Sequence, residues 1–203
     1  MEEEKNNGEA VIQNPEQNQK PEQKPDAAQN LFEWIEMFAV SFVVVLMIIT
    51  LVARHSPVAG SSMYATLHDG DILILSDLFY TPKQGDIVVF HSKATGYDEP
   101  YIKRVIATGG QTIDIDFESW TVTVDGVPLE EDYVYRDGSN SFMKGSSMTF
   151  PVTVPEGYLF VMGDNRNNST DSRVERIGFV DERFLLGRVL FRLYPINVFG
   201  KVQ

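Results

Sequence analysis

The chain has 203 residues, no cysteine and only three histidines, and its 17 Lys and Arg are outnumbered by 29 Asp and Glu, for a formal net charge of −12. Without cysteine there is no disulfide framework, no zinc–thiolate centre and no thiol nucleophile. The shortage of base leaves no patch able to neutralise a run of phosphates, which excludes nucleic acid as a partner. There is no internal repeat, and after residue 53 no helix-length amphipathic pattern.

What is present divides into three unlike segments. Residues 1–30 carry ten Asn or Gln, three Pro and a net charge of −4, with Val11 and Ile12 their only branched aliphatics. Such a stretch cannot bury enough apolar surface to offset its ordering entropy, so it reads as a disordered polar tail. Trp34 to Ala53 is a 20-residue apolar run whose only charge is Glu36. As a helix it covers about 30 Å, the thickness of a bilayer core. It is too long for the apolar region of a cleaved signal peptide and lacks its positive flank, so residues 31–53 read as an uncleaved transmembrane anchor. Lys20 and Lys24 before it nearly balance Arg54 after it, and charge alone does not orient the span.

Residues 54–203 have the length of one domain. Short, β-branched, alternating runs recur between Gly and Pro punctuation: Asp71–Leu75, Asp86–Phe90, Tyr101–Ala107, Thr112–Ile115, Trp120–Val124, Tyr158–Met162 and Gly187–Leu193. With turn pairs such as Asp125-Gly126 and Asp137-Gly138, the pattern predicts a mainly β, antiparallel domain. Residues 112–137 alone hold eight acids and one Arg, which marks an acidic insertion at about 112–156.

Three polar segments interrupt this β background. In Gly60-Ser61-Ser62-Met63-Tyr64-Ala65-Thr66-Leu67, a turn opened by Gly60 presents the Ser62 hydroxyl as a nucleophile, with the N–H groups of Ser62 and Gly60 facing a developing oxyanion. The flanks are not strand and helix, and Tyr64 stands where an α/β-hydrolase elbow needs glycine, so a different base is required. In Tyr101-Ile102-Lys103-Arg104-Val105-Ile106, strand alternation places Lys103 with Tyr101 and Val105, and Arg104 with Ile102 and Ile106. A buried Lys103 loses its charge more readily and can take a proton from a serine, as in Ser-Lys dyads. In Gly163–Arg173, Asp164, Arg166, Asp171 and Arg173 read as a paired-charge floor, with Ser169 able to hydrogen-bond the base. A calcium-loop reading of this segment fails because Arg166 and Ser169 occupy positions that need a ligand and a glycine. His55, His68 and His91 sit in polar, turn-like surroundings without an orienting partner, so a Ser62–His–Asp triad has no pattern behind it.

Taken together and in this order after one anchor, the three segments resemble the type I signal peptidases, membrane endopeptidases with a Ser-Lys dyad. Ser62-Met63-x-x-Thr66-Leu67 keeps the family's serine motif except that Ala65 replaces its proline, and the Gly-Asp-Asn-Arg-x-Asn-Ser-x-Asp-Ser-Arg box is matched throughout by Gly163 to Arg173. Thr108-Gly109-Gly110-Gln111 departs from the family's usual Pro-Gly-Asp turn. The resemblance implies Ser62 as nucleophile, Lys103 as general base, the N–H groups of Ser62 and Gly60 as oxyanion hole, and Ser169 as the group orienting Lys103. It further implies Asp164, Asp171, Arg104, Arg166 and Arg173 as supports and Met63 packed beside the site. No metal or organic cofactor is implied. The implied partners are secretory preproteins with Ala-x-Ala cleavage sites, the lipid bilayer and the translocation machinery. The implied location is the cell membrane, single-pass, with the N-terminus cytoplasmic and the catalytic domain outside.

Two rivals make different demands. A self-cleaving repressor with the same dyad would need a DNA-binding domain and no anchor. A catalytically inactive, membrane-tethered β-domain assisting surface-protein assembly would be indifferent to loss of Ser62 or Lys103.

Overall fold

The computed structural model describes residues 27–52, 54–92, 96, 99–136, 138 and 142–202. The polar tail therefore lies outside the described residues as far as residue 26. Its last four residues open a helix, α1 (Ala27–Val52), which begins four residues before the expected anchor. Its 26 residues rise about 39 Å. Phe32, Phe38, Phe42 and Val43 on it are each more than 60% exposed. The helix is long and apolar enough to cross a membrane.

The rest of the described chain is antiparallel β-structure. The strands are β1 (Arg54–Pro57), β2 (Ile72–Ser76), β3 (Ile87–His91), β4 (Pro100–Thr108), β5 (Thr112–Asp116), β6 (Thr121–Val124), β7 (Val127–Pro128), β8 (Val152–Thr153), β9 (Tyr158–Met162), β10 (Val180–Asp181), β11 (Leu185–Tyr194) and β12 (Gly200–Lys201). All seven expected strands are present. The larger sheet runs β1-β2-β11-β3-β4-β9-β10, with β12 beside β11; the smaller, β7-β6-β5-β8, is built from the acidic insertion.

Alternation explains which faces are covered. In β5, Ile113 and Ile115 point inward while Asp114 and Asp116 are exposed, and in β6 Val122 and Val124 do the same. These four pack with Ile106, Ala107, Phe160 and Met162 of the larger sheet in one apolar cluster. The larger sheet is covered on both faces at its centre, so β3, β4 and β9 are buried almost continuously. One face gathers Leu73, Leu75, Ile87, Val89 and Ile102, and the other Val88, Phe90, Val105, Leu159 and Val161. The β4–β9 register slips between Val105 and Ala107. That bulge lets the end of β4 turn its side chains from the larger sheet's core toward the smaller sheet.

Candidate active site

The nucleophile turn is the connection between β1 and β2. Val58 N donates to Asp71 O at 2.8 Å and Gly70 N to Val58 O at 3.0 Å, prolonging the hairpin to the base of the turn. Within it, Tyr64 N donates to Ser61 O and Leu67 N to Met63 O. Met63 and Leu67 are fully buried in the cluster that contains Ile87, Val89 and Ile102. Burying such side chains contributes about 1.5–3 kcal/mol each, which holds the turn down across the sheet face onto β4. Ser62 is left partly open to a cleft of about 680 Å³ lined on one side by Pro57–Met63 and on the other by Glu99–Lys103, with Asn168 and Thr170.

Lys103 enters this cleft from β4. Its side chain is 3% exposed, and Nζ lies 2.8 Å from Ser62 Oγ and 2.9 Å from the carbonyl oxygen of Ile102. Burial pushes the Lys103 ammonium down from 10.5 to about 8, against the opposing pull of the Asp171 and Asp164 carboxylates. When the amine is neutral it can keep one N–H on Ile102 O and turn its lone pair to the Ser62 hydroxyl, which then donates along the same 2.8 Å line.

The Gly163–Arg173 box forms the floor. Asp164 is fully buried and takes Arg104 in a two-point pair, Nε to Oδ1 at 2.9 Å and Nη2 to Oδ2 at 2.8 Å, and it also accepts from Thr66 Oγ1 of the nucleophile turn. Asp171 is paired in the same way with Arg173, at 2.8 Å for both contacts, and accepts from Gly163 N. Burial raises the Asp171 carboxyl, but Arg173 outweighs it and holds the group below the usual carboxylate range. Each carboxylate is thus paired with a guanidinium and accepts a further hydrogen bond, as a buried carboxylate requires. The box also grips the turn from beneath. Asn165 N donates to Ser62 O at 3.0 Å, Asn165 Nδ2 to Ser61 O at 3.1 Å, and Asn168 Nδ2 to Ser61 Oγ at 2.7 Å. Gly163 has no room for a side chain: a Cβ there would stand 2.3 Å from Ser169 Oγ and 2.5 Å from Ser62 O.

Ser62, Lys103, Met63, Arg104, Asp164, Arg166, Ser169, Asp171 and Arg173 are all brought to this one region, but two of the expected contacts differ. Gly60 N donates to Asp69 Oδ1 at 2.8 Å, so that N–H is taken and is not free for an oxyanion. Ser169 is buried against Gly163, yet its hydroxyl makes no hydrogen bond to Lys103; the Ile102 carbonyl orients the amine instead. None of the three histidines bonds to Ser62 among the described residues; His55 and His68 are exposed. The sequence reading missed Thr66, Asn165 and Asn168, although all three lie inside motifs it singled out. It also missed Glu131, which no motif marks. No cluster of His, Asp and Glu suited to a metal ion occurs among the described residues.

The sequence is similar to those of known proteins. The family model described as "Signal peptidase, peptidase S26" matches residues 31–194. The chain is 37% identical to the probable signal peptidase I-1 of Synechocystis sp. over 88% of this chain and 90% of that one. It is 32% identical to the signal peptidase I of Bacillus licheniformis over 90% of this chain and 98% of that one. A crystal structure of a signal peptidase I from Enterococcus faecalis overlays on 54% of this chain and 97% of that one, with 32% identity and a TM-score of 0.43. The match runs from the apolar helix through β11 and takes in the turn, the base strand and the charged box, and by that extent the chain belongs to the signal peptidase family, peptidase S26.

Proposed function

We propose that the protein is a membrane-bound serine endopeptidase that removes N-terminal signal peptides from secreted preproteins, with Ser62 as nucleophile and Lys103 as general base. The observation that carries this reading is the 2.8 Å approach of a buried, easily deprotonated Lys103 to Ser62 Oγ at the edge of an open cleft. A preprotein lies extended along the cleft, adding main-chain hydrogen bonds to strand-like backbone, with small side chains at −3 and −1 as in an Ala-x-Ala site. Ser62 Oγ attacks the carbonyl after −1 as Lys103 takes its proton, and the Ser62 N–H receives the oxyanion. The Lys103 ammonium returns that proton to the leaving amine of the mature protein. A water then attacks the acyl-enzyme, again losing its proton to Lys103, and the signal peptide leaves with a free carboxylate. Asp164, Arg104, Asp171, Arg173 and Arg166 hold the floor, and Met63 pins the turn.

The membrane placement extends the same reading. Residues 31–53 anchor the chain in the cell membrane, with residues 1–30 cytoplasmic and residues 54–203 on the outer side. Ser62 follows Ala53 by nine residues, at most roughly 30 Å of extended chain, so cleavage occurs where signal-peptide ends leave the bilayer. The translocation machinery is then a neighbour. The test is incubation of the detergent-solubilised protein with a secretory precursor, alongside Ser62→Ala and Lys103→Ala. Cleavage at an Ala-x-Ala site by the wild type and by neither variant is expected; equal cleavage by all three would overturn the assignment.

A further inference from the structure

The acidic insertion contacts the site through a segment that lies outside the family motifs. Between β7 and β8, residues 131–135 turn back beneath the charged box. Glu131 takes Arg166 in a two-point pair, Nη2 to Oε1 at 2.5 Å and Nη1 to Oε2 at 3.1 Å, and the Arg166 side chain is wholly buried. Arg166 in turn donates from Nε to Gly163 O, the residue packed against Ser62 O. Tyr133 donates its hydroxyl to Glu131 Oε1 at 2.9 Å and lays its ring 3.9 Å from the Arg104 guanidinium. Tyr135 N donates to Asp164 O, and the Tyr135 ring meets Tyr64, two residues beyond the nucleophile, edge-on at 4.7 Å. A single five-residue strap thus touches two of the floor's three arginines, Arg104 and Arg166, and the turn that carries Ser62.

We infer that this strap is a positioning device for the Ser62–Lys103 dyad, with Glu131 and Tyr135 as its positioning residues. The inference rests on the assignment of Ser62 and Lys103 above. Its physical basis is that the box alone leaves Arg166 without a carboxylate: Asp171 is saturated by Arg173 and Asp164 by Arg104. Among the described residues only the insertion supplies the missing anion, and a buried guanidinium without one draws water or moves toward solvent. Either response shifts Gly163 O and with it the main chain under Ser62. The insertion, which carries all of the domain's excess acid, commits one of its carboxylates to the site.

Precursor cleavage by Glu131→Gln and Tyr135→Leu tests this, with Asp132→Asn as the exposed, charge-matched control and Ser62→Ala as the blank. Displacement of a nucleophile by about 1 Å costs roughly 10- to 100-fold in rate, so both strap variants are expected to lose kcat on that scale while KM stays within about 2-fold. Asp132→Asn is expected to match the wild type. In the double variant Glu131→Gln/Arg166→Gln the losses are expected to be less than multiplicative, because the two residues act as one pair. Tyr135→Leu removes no charge and keeps the test open if Glu131→Gln does not fold. Wild-type kcat in folded Tyr135→Leu, or a lowered melting temperature with unchanged kcat in folded Glu131→Gln, would make the strap a purely structural brace and overturn the inference. Full activity of Ser62→Ala would instead overturn the dyad on which it depends.

Discussion

A base made by burial has a pH signature that can be worked out from its surroundings. Lys103 is held at about 8 rather than 10.5, chiefly because it is taken out of water. That difference is worth about 3.4 kcal/mol at 1.36 kcal/mol per unit. At pH 7 roughly a tenth of the amine is neutral, against about 0.03% at the ordinary value, so burial alone raises the working fraction about 300-fold. The sign follows from the role: a general base works when unprotonated, so activity lies on the alkaline side of its pKa. Measured as kcat/KM for precursor cleavage between pH 6 and 10, activity is expected to rise about tenfold per pH unit, bend near pH 8 and then level off. Lys103→Arg keeps the charge but never deprotonates in this range, and is expected to be inactive throughout. A midpoint near 6.5 would point to an imidazole. Continued rise beyond pH 10, or Lys103→Arg within tenfold of the wild type, would refute the argument that burial prepares this lysine.

The same burial predicts a stability gain when the base is removed. Because its folded pKa lies below the unfolded value, Lys103 makes stability climb as pH rises from about 8 to 10.5 and costs about 3 kcal/mol at pH 7. Lys103→Met is therefore expected to melt higher than the wild type at pH 7, by an amount that shrinks toward pH 10, while losing activity; a lower melting temperature at pH 7 would contradict this. Gly163→Ala drives a methyl into Ser169 Oγ and Ser62 O and is expected to reduce cleavage at least 100-fold, against no effect if the turn were loosely held. Asp164→Asn removes the negative charge that faces the buried Arg104 and is expected to cost about 3–5 kcal/mol, or some 6–20 °C in melting temperature. Asp181→Asn breaks a pair whose arginine is 82% exposed and is expected to change stability by less than about 1 kcal/mol; similar losses from the two would mean that burial does not set the cost.

The strands legible in the sequence are those whose own residues declare a face, such as Ile72–Ser76 or Thr112–Asp116. Those that were not legible take their conformation from a partner. Arg54-His55-Ser56-Pro57 has no apolar alternation and is a strand because it pairs with Leu75 to Ile72. Val180–Asp181 and Gly200–Lys201 are two-residue additions to β9 and β11. The site divides the same way. Ser62 and Lys103 stand out by type and local setting. The commitment of Gly60 N to Asp69, and of Arg166 to a carboxylate 35 positions away, are properties of the folded loop paths, to which periodicity is blind. The expectation that Ser169 would hold the base failed for a related reason: the carbonyl of the preceding residue already meets the amine, a contact open to any strand residue and so without a signature.

The order of the larger sheet has a consequence for how the protein is made. The nucleophile hangs from the β1–β2 hairpin and the base lies on β4, but β2 and β3 do not pair with each other; β11 stands between them. During synthesis the hairpin and the base strand emerge well before the strand that joins them, which is completed only at Tyr194. Until then the serine and the lysine lie on two ribbons with no backbone pairing between them, in touch only through side chains of the turn. Proteolytic competence therefore waits on β11, and a chain in which that strand has not yet formed has no fully braced dyad to turn on its neighbours or itself.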